Sequence, residues 1–494
     1  MHSYHIFYFP FRWENPKWQS KLFEEQTNID AIPINTNTNW AHILGALNQD
    51  EEQDLYNEKN FFHKFVHPVL YDTGEKGTLL KHFERKEPQQ RDVFYSISQR
   101  NGKTYTLKVD AINLNLYVTG IGMLTFFLIN ERDDQKSKED ILFINQYGRR
   151  IYPPFFDDIK GKLETAEYLK IEGLNGNPSL YYEDFSSYTH EKTWTPASFI
   201  FNLISDLSEE FTITPVIDDR MFVNCWYEND ELSYKLATDD DNLELFFLDD
   251  YLHAENKTDD YWYKYVYVDA KDATCKNDGM KLDLLNKQTC KRWQKDGMLY
   301  GASRYSFVFL TKVNLFQKNV LAKHMRTIYS RIVELILIQR ASVLRFSDEI
   351  TNVSRLSKGK AIDPAINKQI TSLYKEYIRF LNQIHFREVT IQDQGIELYQ
   401  LIYKTLNVED YVEDLEREIK ELYQYVSMME DKVRNRNAEI LNIIAAVFLP
   451  ATLFATLFGG MEGLKCLSTY AQVIILFGVS SLMYGLLKII KQKK

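Results

Sequence analysis

The chain has 494 residues, 45% of them hydrophobic and 26% charged, so it can bury a sizeable core and lies outside the composition of disordered chains. A formal net charge of −10, from 69 acidic against 59 basic side chains, excludes the basic footprint of a general nucleic-acid binder. Four cysteines, Cys225, Cys275, Cys290 and Cys466, form no C-x-x-C pair, which excludes a disulfide framework and a cysteine zinc site.

The amino-terminal text MHSYHIFYFPFRW has no basic n-region, and Pro10 and Arg12 cut its apolar run, so it is not a signal peptide. Alternating or β-rich stretches predict strands at His5–Phe11, Val93–Ser98, Thr104–Val109, Asn113–Val118, Leu124–Ile129 and Ile141–Ile144, with Asn101-Gly102 as a hairpin turn. Residues 1–310 therefore read as a mixed α/β domain, placed in the cytosol. His63 and His67, four apart, could share a metal on a helix, but no glutamate completes a hydrolytic zinc motif and each is expected to be an ordinary histidine. Gly102-Lys103-Thr104 imitates the end of a phosphate loop; Ile97 stands where its first glycine belongs, so the segment is read as a hairpin. Arg149-Arg150, between a glycine and Pro153-Pro154, are candidate phosphate ligands because adjacent guanidiniums match phosphate geometry. Asp218 and Asp219, followed by Arg220, are weaker ligand-binding candidates. No nucleophile with a base, and no paired carboxylates, stand out, and the chain is not expected to be an enzyme.

Strand texture gives way to helices after about Leu310: one from near Phe316 to Leu356, a break at Gly359 and Pro364, and another from about Ala365 to Phe386. Val408, Val412, Leu415, Ile419, Leu422, Val426, Met429 and Val433 then form an a/d seam, whose burial requires helices of the same chain or further copies. Residues 311–439 are assigned to a helical stalk. With no Gly or Pro from Val408 to Leu449, the stalk continues into the following apolar run as one helix of about 50 residues and about 75 Å. Seven acidic side chains between Glu409 and Glu421 make a solvated face.

No charge interrupts Ile440–Gly460, and about 20 apolar residues suffice for a helix to cross about 30 Å of hydrocarbon. A second uncharged run covers residues 470–487 after a loop at 461–469. The expectation is a two-helix transmembrane hairpin. Lys432, Arg434 and Arg436 before it, and the lysines of the tail 488–494 after it, place both ends in the cytoplasm of a multi-pass inner-membrane protein. Asn435, Asn442, Thr452 and Thr456 fall near one face of the first helix, which suggests that it lines a bundle or a pore.

NRNAEILNIIAAVFLPATLFATLFGG, with a short loop, a second apolar run and a lysine-rich end, resembles the CorA family of magnesium channels. The resemblance covers roughly the last 180 residues and is specific only from Asn435 to the glycines. It implies an α/β cytosolic domain, a long stalk and a homopentamer in the lipid bilayer, with Asn435, Leu441, Leu449 and Thr452 at pore-lining positions. Mg2+ or another divalent cation would be the permeant or regulatory ion, with no covalently bound cofactor. The family's Gly-Met-Asn entrance is altered: the corresponding stretch holds Gly459, Gly460, Met461 and Glu462, where a carboxylate replaces the amide. The large amino-terminal domain, INLNLYVTGIGMLTFFLINER and FINQYGRRIYPPF are similar to a divergent subgroup associated with type III CRISPR defence. That likeness implies gating by a nucleotide messenger of the S-adenosylmethionine–AMP type, with Arg149 and Arg150 on its phosphates. The competing expectations are a constitutive divalent-cation transporter and a membrane-anchored binding or scaffold protein.

Overall fold

A computed structural model describes residues 1–14, 32, 38–45, 52–75, 77–152, 164–187, 195–208, 210–217, 220–238, 243–248, 260–314, 320–356, 364–460, 470, 471, 474, 477, 478 and 481. The chain divides into two compact units, residues 1–354 with 372–417 and residues 355–371 with 418–494.

Among the described residues the first unit is built on one mixed sheet. Its strands are β1 (Ser3–Glu14), β2 (Trp40–His42), β3 (Leu80–Arg85), β4 (Phe94–Ser98), β5 (Thr104–Tyr117), β6 (Ile121–Asn130), β7 (Tyr168–Glu172), β8 (Tyr182–Asp184), β9 (Thr212–Pro215), β10 (Phe222–Glu228), β11 (Thr289–Cys290), β12 (Leu299–Ala302) and β13 (Ser306–Thr311). They run in the order β11-β12-β13-β10-β1-β6-β5-β4-β7-β8, with β9 beside β1, β3 beside β5 and β2 beside β3. Among the described strands only the β10–β13 pairing is parallel. β1 is central and buried along nearly its whole length, which explains why SYHIFYFPF is apolar on both faces instead of alternating. Gly122 of β6 faces Phe11 so closely that a Cβ would lie 2.4 Å from the ring, so glycine is required there.

Most predicted strands form, and the stretches Thr104–Val109 and Asn113–Val118 belong to a single strand, β5, irregular at Val109/Ala111. Gly102 closes the β4–β5 hairpin at φ +88°. The Ile141–Ile144 strand is a correction. That segment lies in a helix, Lys138–Gly148, because Ser137 and Asp140 form a reciprocal capping box that starts a helix just before the apolar run.

After β13 come a π-helical turn, Met325–Tyr329, and the helix Ser330–Leu356. The helix Pro364–Gln383 follows, then Asp393–Thr405, and the last is a continuous 53-residue helix, Val408–Gly460. Burial along the predicted seam fades. Val408, Val412, Leu415, Ile419 and Val426 are buried, Leu422 and Met429 are half-buried, and Val433 is exposed.

The transmembrane hairpin is overturned: among the described residues no helix is long and apolar enough to cross a membrane. Ile440–Gly460 is only the final part of a helix whose earlier turns carry Glu409, Asp410, Lys432 and Arg434. The assignments as a membrane protein, an ion channel and a multi-pass inner-membrane chain are corrected with it. The loop 461–469, most of the second run and the tail 488–494 lie outside the described residues.

Candidate functional site

The arginine pair is divided between different partners. Arg149 and Arg150 follow the Lys138–Gly148 helix, and Arg150 bridges to Arg220 as an isolated antiparallel pair. The two side chains go to different partners. Arg150 turns to Glu164, 3.3 Å away, and is almost fully buried. Arg149 turns the other way, with its guanidinium carbon 5.2 Å from the centre of the Tyr305 ring. Arg220 reaches the same ring at 4.5 Å. The paired reading of Arg149 and Arg150 is thus replaced by a pairing of Arg149 with Arg220.

Arg149, Arg220 and Tyr305 line a shallow, open cleft, bounded by Pro10, Ile217, Met221, Phe222, Arg304 and Leu337 as well. Exposure is graded. Arg304 at the mouth is exposed, Arg220 and Tyr305 are half-buried, and Arg149 is 1% exposed at the floor. Three guanidiniums within one concave site suit an anion, because charge-assisted hydrogen bonds from arginine to phosphate are among the strongest available.

Four backbone segments hold the cleft. The Met221 N–H donates to the Arg149 carbonyl at 2.8 Å, and the Val223 N–H donates to the Tyr305 carbonyl at 2.9 Å. Arg304 and Tyr305 sit on the turn between β12 and β13. Ser303 fastens that turn by donating its hydroxyl to the Val266 carbonyl at 2.7 Å, and Ser306 donates to the same carbonyl. Val266 belongs to the helix Tyr261–Tyr267. Past its end, Arg149 donates from Nη2 to the Val268 carbonyl at 3.3 Å. Next door, burial and the charge of Glu164 raise the Asp269 carboxyl above the usual carboxylate range.

Arg304 and Tyr305 were not legible as site residues, since they lie about 155 positions beyond Arg149 and carry no motif. Asp218 and Asp219 lie outside the described residues, although Arg220, next to them, lines the cleft.

The carboxy-terminal candidates do not join this site. Asn435, Leu441, Asn442, Leu449, Thr452 and Thr456 are exposed on the Val408–Gly460 helix. Thr452 donates to the carbonyls of Phe448 and Leu449, and Thr456 to those of Thr452 and Leu453, so both hydroxyls are engaged by their own helix. Gly459 and Gly460 end that helix; Met461 and Glu462 lie outside the described residues. His63 meets Glu388 at 3.3 Å while the ring of His67 faces the Lys59 carbonyl at 2.9 Å, so the two rings serve different partners. Among the described residues no cluster of three or more His, Cys, Asp or Glu is placed to hold a metal ion.

A Cys–His contact does occur. The β1–β10 register sets His5 opposite Cys225, Sγ to Nδ1 3.4 Å, and the Asn145 oxygen lies 2.7 Å from the same nitrogen. Burial lowers the His5 ring to about 4 and pushes the thiol up to about 12. A neutral thiol with no exposed surface is a poor nucleophile, so this cluster reads as packing.

No protein-family model matches the chain, and no curated protein matches it.

Proposed function

We propose that this chain is a binding protein for a phosphate-bearing small molecule, and that the ligand's phosphate is taken by Arg149, Arg220 and Arg304. The observation that carries the reading is the convergence of Arg149 and Arg220 on one tyrosine ring, at 5.2 and 4.5 Å, around an open cleft. Salt bridges scattered on a surface do not produce such an arrangement; a site for an anion does. Tyr305 sets the planes of the two guanidiniums by cation–π contact. The role is binding, not chemistry, since the groups that converge there are donors with fixed charge.

The finer reading is that the ligand is a nucleotide messenger of the S-adenosylmethionine–AMP type and that the chain acts in type III CRISPR defence. It is supported by the resemblance of the segment around FINQYGRRIYPPF and by the cleft's preference for phosphate. A divalent cation would then enter as a companion of the phosphates. Calorimetry of the full chain with inorganic phosphate, AMP and ATP tests the site: saturable binding that weakens at least tenfold in Arg220→Ala/Arg304→Ala supports it. Absence of binding by all three removes it.

A second reading concerns assembly. Leu441, Phe448 and Leu449 are each more than 60% exposed on the Val408–Gly460 helix, and a row of large apolar side chains in water favours association with further copies. Light scattering of the full chain distinguishes a monomer from an oligomer, and loss of the oligomer in Leu441→Glu/Phe448→Glu assigns the surface.

A further inference from the structure

The helix Tyr261–Tyr267 is bracketed by two non-glycine residues in the left-handed region, Asp260 at φ 49° and Val268 at φ 55°. Val268 is the stranger of the two. A left-handed residue after a helix is ordinarily glycine, and a β-branched side chain resists that conformation. Val268 is nonetheless buried, its neighbour's N–H closes on the Lys264 carbonyl at 2.9 Å, and its own carbonyl accepts the hydrogen bond from Arg149. The floor arginine of the cleft is therefore also the clamp on a strained turn. Its guanidinium lines the cleft yet is almost wholly buried, so full contact with a phosphate requires it to shift toward the opening.

We infer that Arg149 is a ligand-operated latch: a phosphate in the cleft draws its guanidinium away from the Val268 carbonyl, and the strained turn at Val268 relaxes. This rests on the anion-binding reading above and adds how occupancy is converted into a change of shape. The strain favours release. A ligand that binds the unlatched form gains apparent affinity because the latched form is raised in energy by its own backbone. The neighbourhood transmits the change, since the Val266 carbonyl two residues earlier anchors the Ser303–Ser306 turn that presents Arg304 and Tyr305.

The test uses the full chain with AMP as the probe, read by calorimetry and by hydrogen exchange over residues 260–275. Glycine adopts the left-handed conformation freely, so Val268→Gly stabilises the latched form and AMP affinity falls about tenfold, while Val268→Ala, which also loses the side chain's packing, falls less. In the wild type, saturating AMP speeds exchange at residues 268–275 about tenfold; in Val268→Gly it does not. Should Val268→Gly fail to fold, the wild-type exchange and the alanine variant still decide. Equal affinity of wild type, Ala and Gly, or exchange at 268–275 indifferent to AMP, overturns the latch and leaves the binding site standing. No binding of phosphate, AMP or ATP by the wild type overturns the site and the latch together.

Discussion

Arg220 holds its guanidinium 4.5 Å from the centre of the Tyr305 ring, and that contact orients one wall of the cleft. Removing the ring takes away that stacking without removing the arginine's charge. Tyr305→Leu is expected to weaken phosphate or AMP binding about three- to tenfold, whereas Arg220→Ala weakens it tenfold or more, since hydrogen bonds to charged groups contribute about 1.5–3 kcal/mol each. Calorimetry of both variants checks the order, and a tyrosine variant worse than the arginine variant would contradict this division of roles.

Arg85 is wholly buried beside Glu87, itself without exposure, and the two meet through paired hydrogen bonds of 2.7 and 3.1 Å. Asp206 accepts a further bond at 2.5 Å, and the Trp40 ring lies 5.3 Å from the guanidinium. Deleting one partner of such a pair strands the other charge in a dry site. Arg85→Ala is expected to lower unfolding free energy by about 3–5 kcal/mol, while Arg85→Met with Glu87→Leu together costs much less. Urea titration of the single and double variants measures the difference.

Acid is expected to destabilise the fold before the carboxylates titrate. Burial holds His5 at about 4; burial and the Arg331 charge hold His82 at about 4; burial and Arg387 do the same for His385. A histidine depressed in the folded state binds its proton more readily when unfolded, so stability is fully present above about pH 6.5 and is lost as pH falls toward 4. Each fully buried ring accounts for up to about 3 kcal/mol across that window. Urea midpoints between pH 8 and 4.5 should fall on the acid side, with a smaller fall in His82→Gln; midpoints that stay level would contradict the neutral, buried rings.

Cys225 is expected to resist alkylation in the native protein. Burial pushes its thiol up to about 12, whereas Cys275 is partly exposed. At pH 8, N-ethylmaleimide should label Cys275 within minutes and leave Cys225 unlabelled until denaturant is added, as peptide mass spectrometry can follow.

Local chemistry was enough for several elements. The apolar text of β1, the Asn101-Gly102 turn and the long helix from Val408 all form where residue pattern places them, because each is decided by neighbours within a few positions. Ile141–Ile144 escaped that logic only because the capping pair at Ser137 and Asp140 outweighed the β-rich run behind it. The sequence by itself therefore determined the mixed α/β core, the helical end and the presence of arginine near Gly148.

Only tertiary structure decided what those parts do together. Folding gave Arg149 and Arg150 different partners, and the β10–β13 pairing brought Arg220 and Tyr305 to the first of them. It also buried the early seam while leaving its end exposed, and among the described residues no helix is long and apolar enough to cross a membrane. The reason is physical: a residue's type records what it can bond to, but the distance to a partner more than a hundred positions away, and the amount of water between them, exist only once the chain has folded.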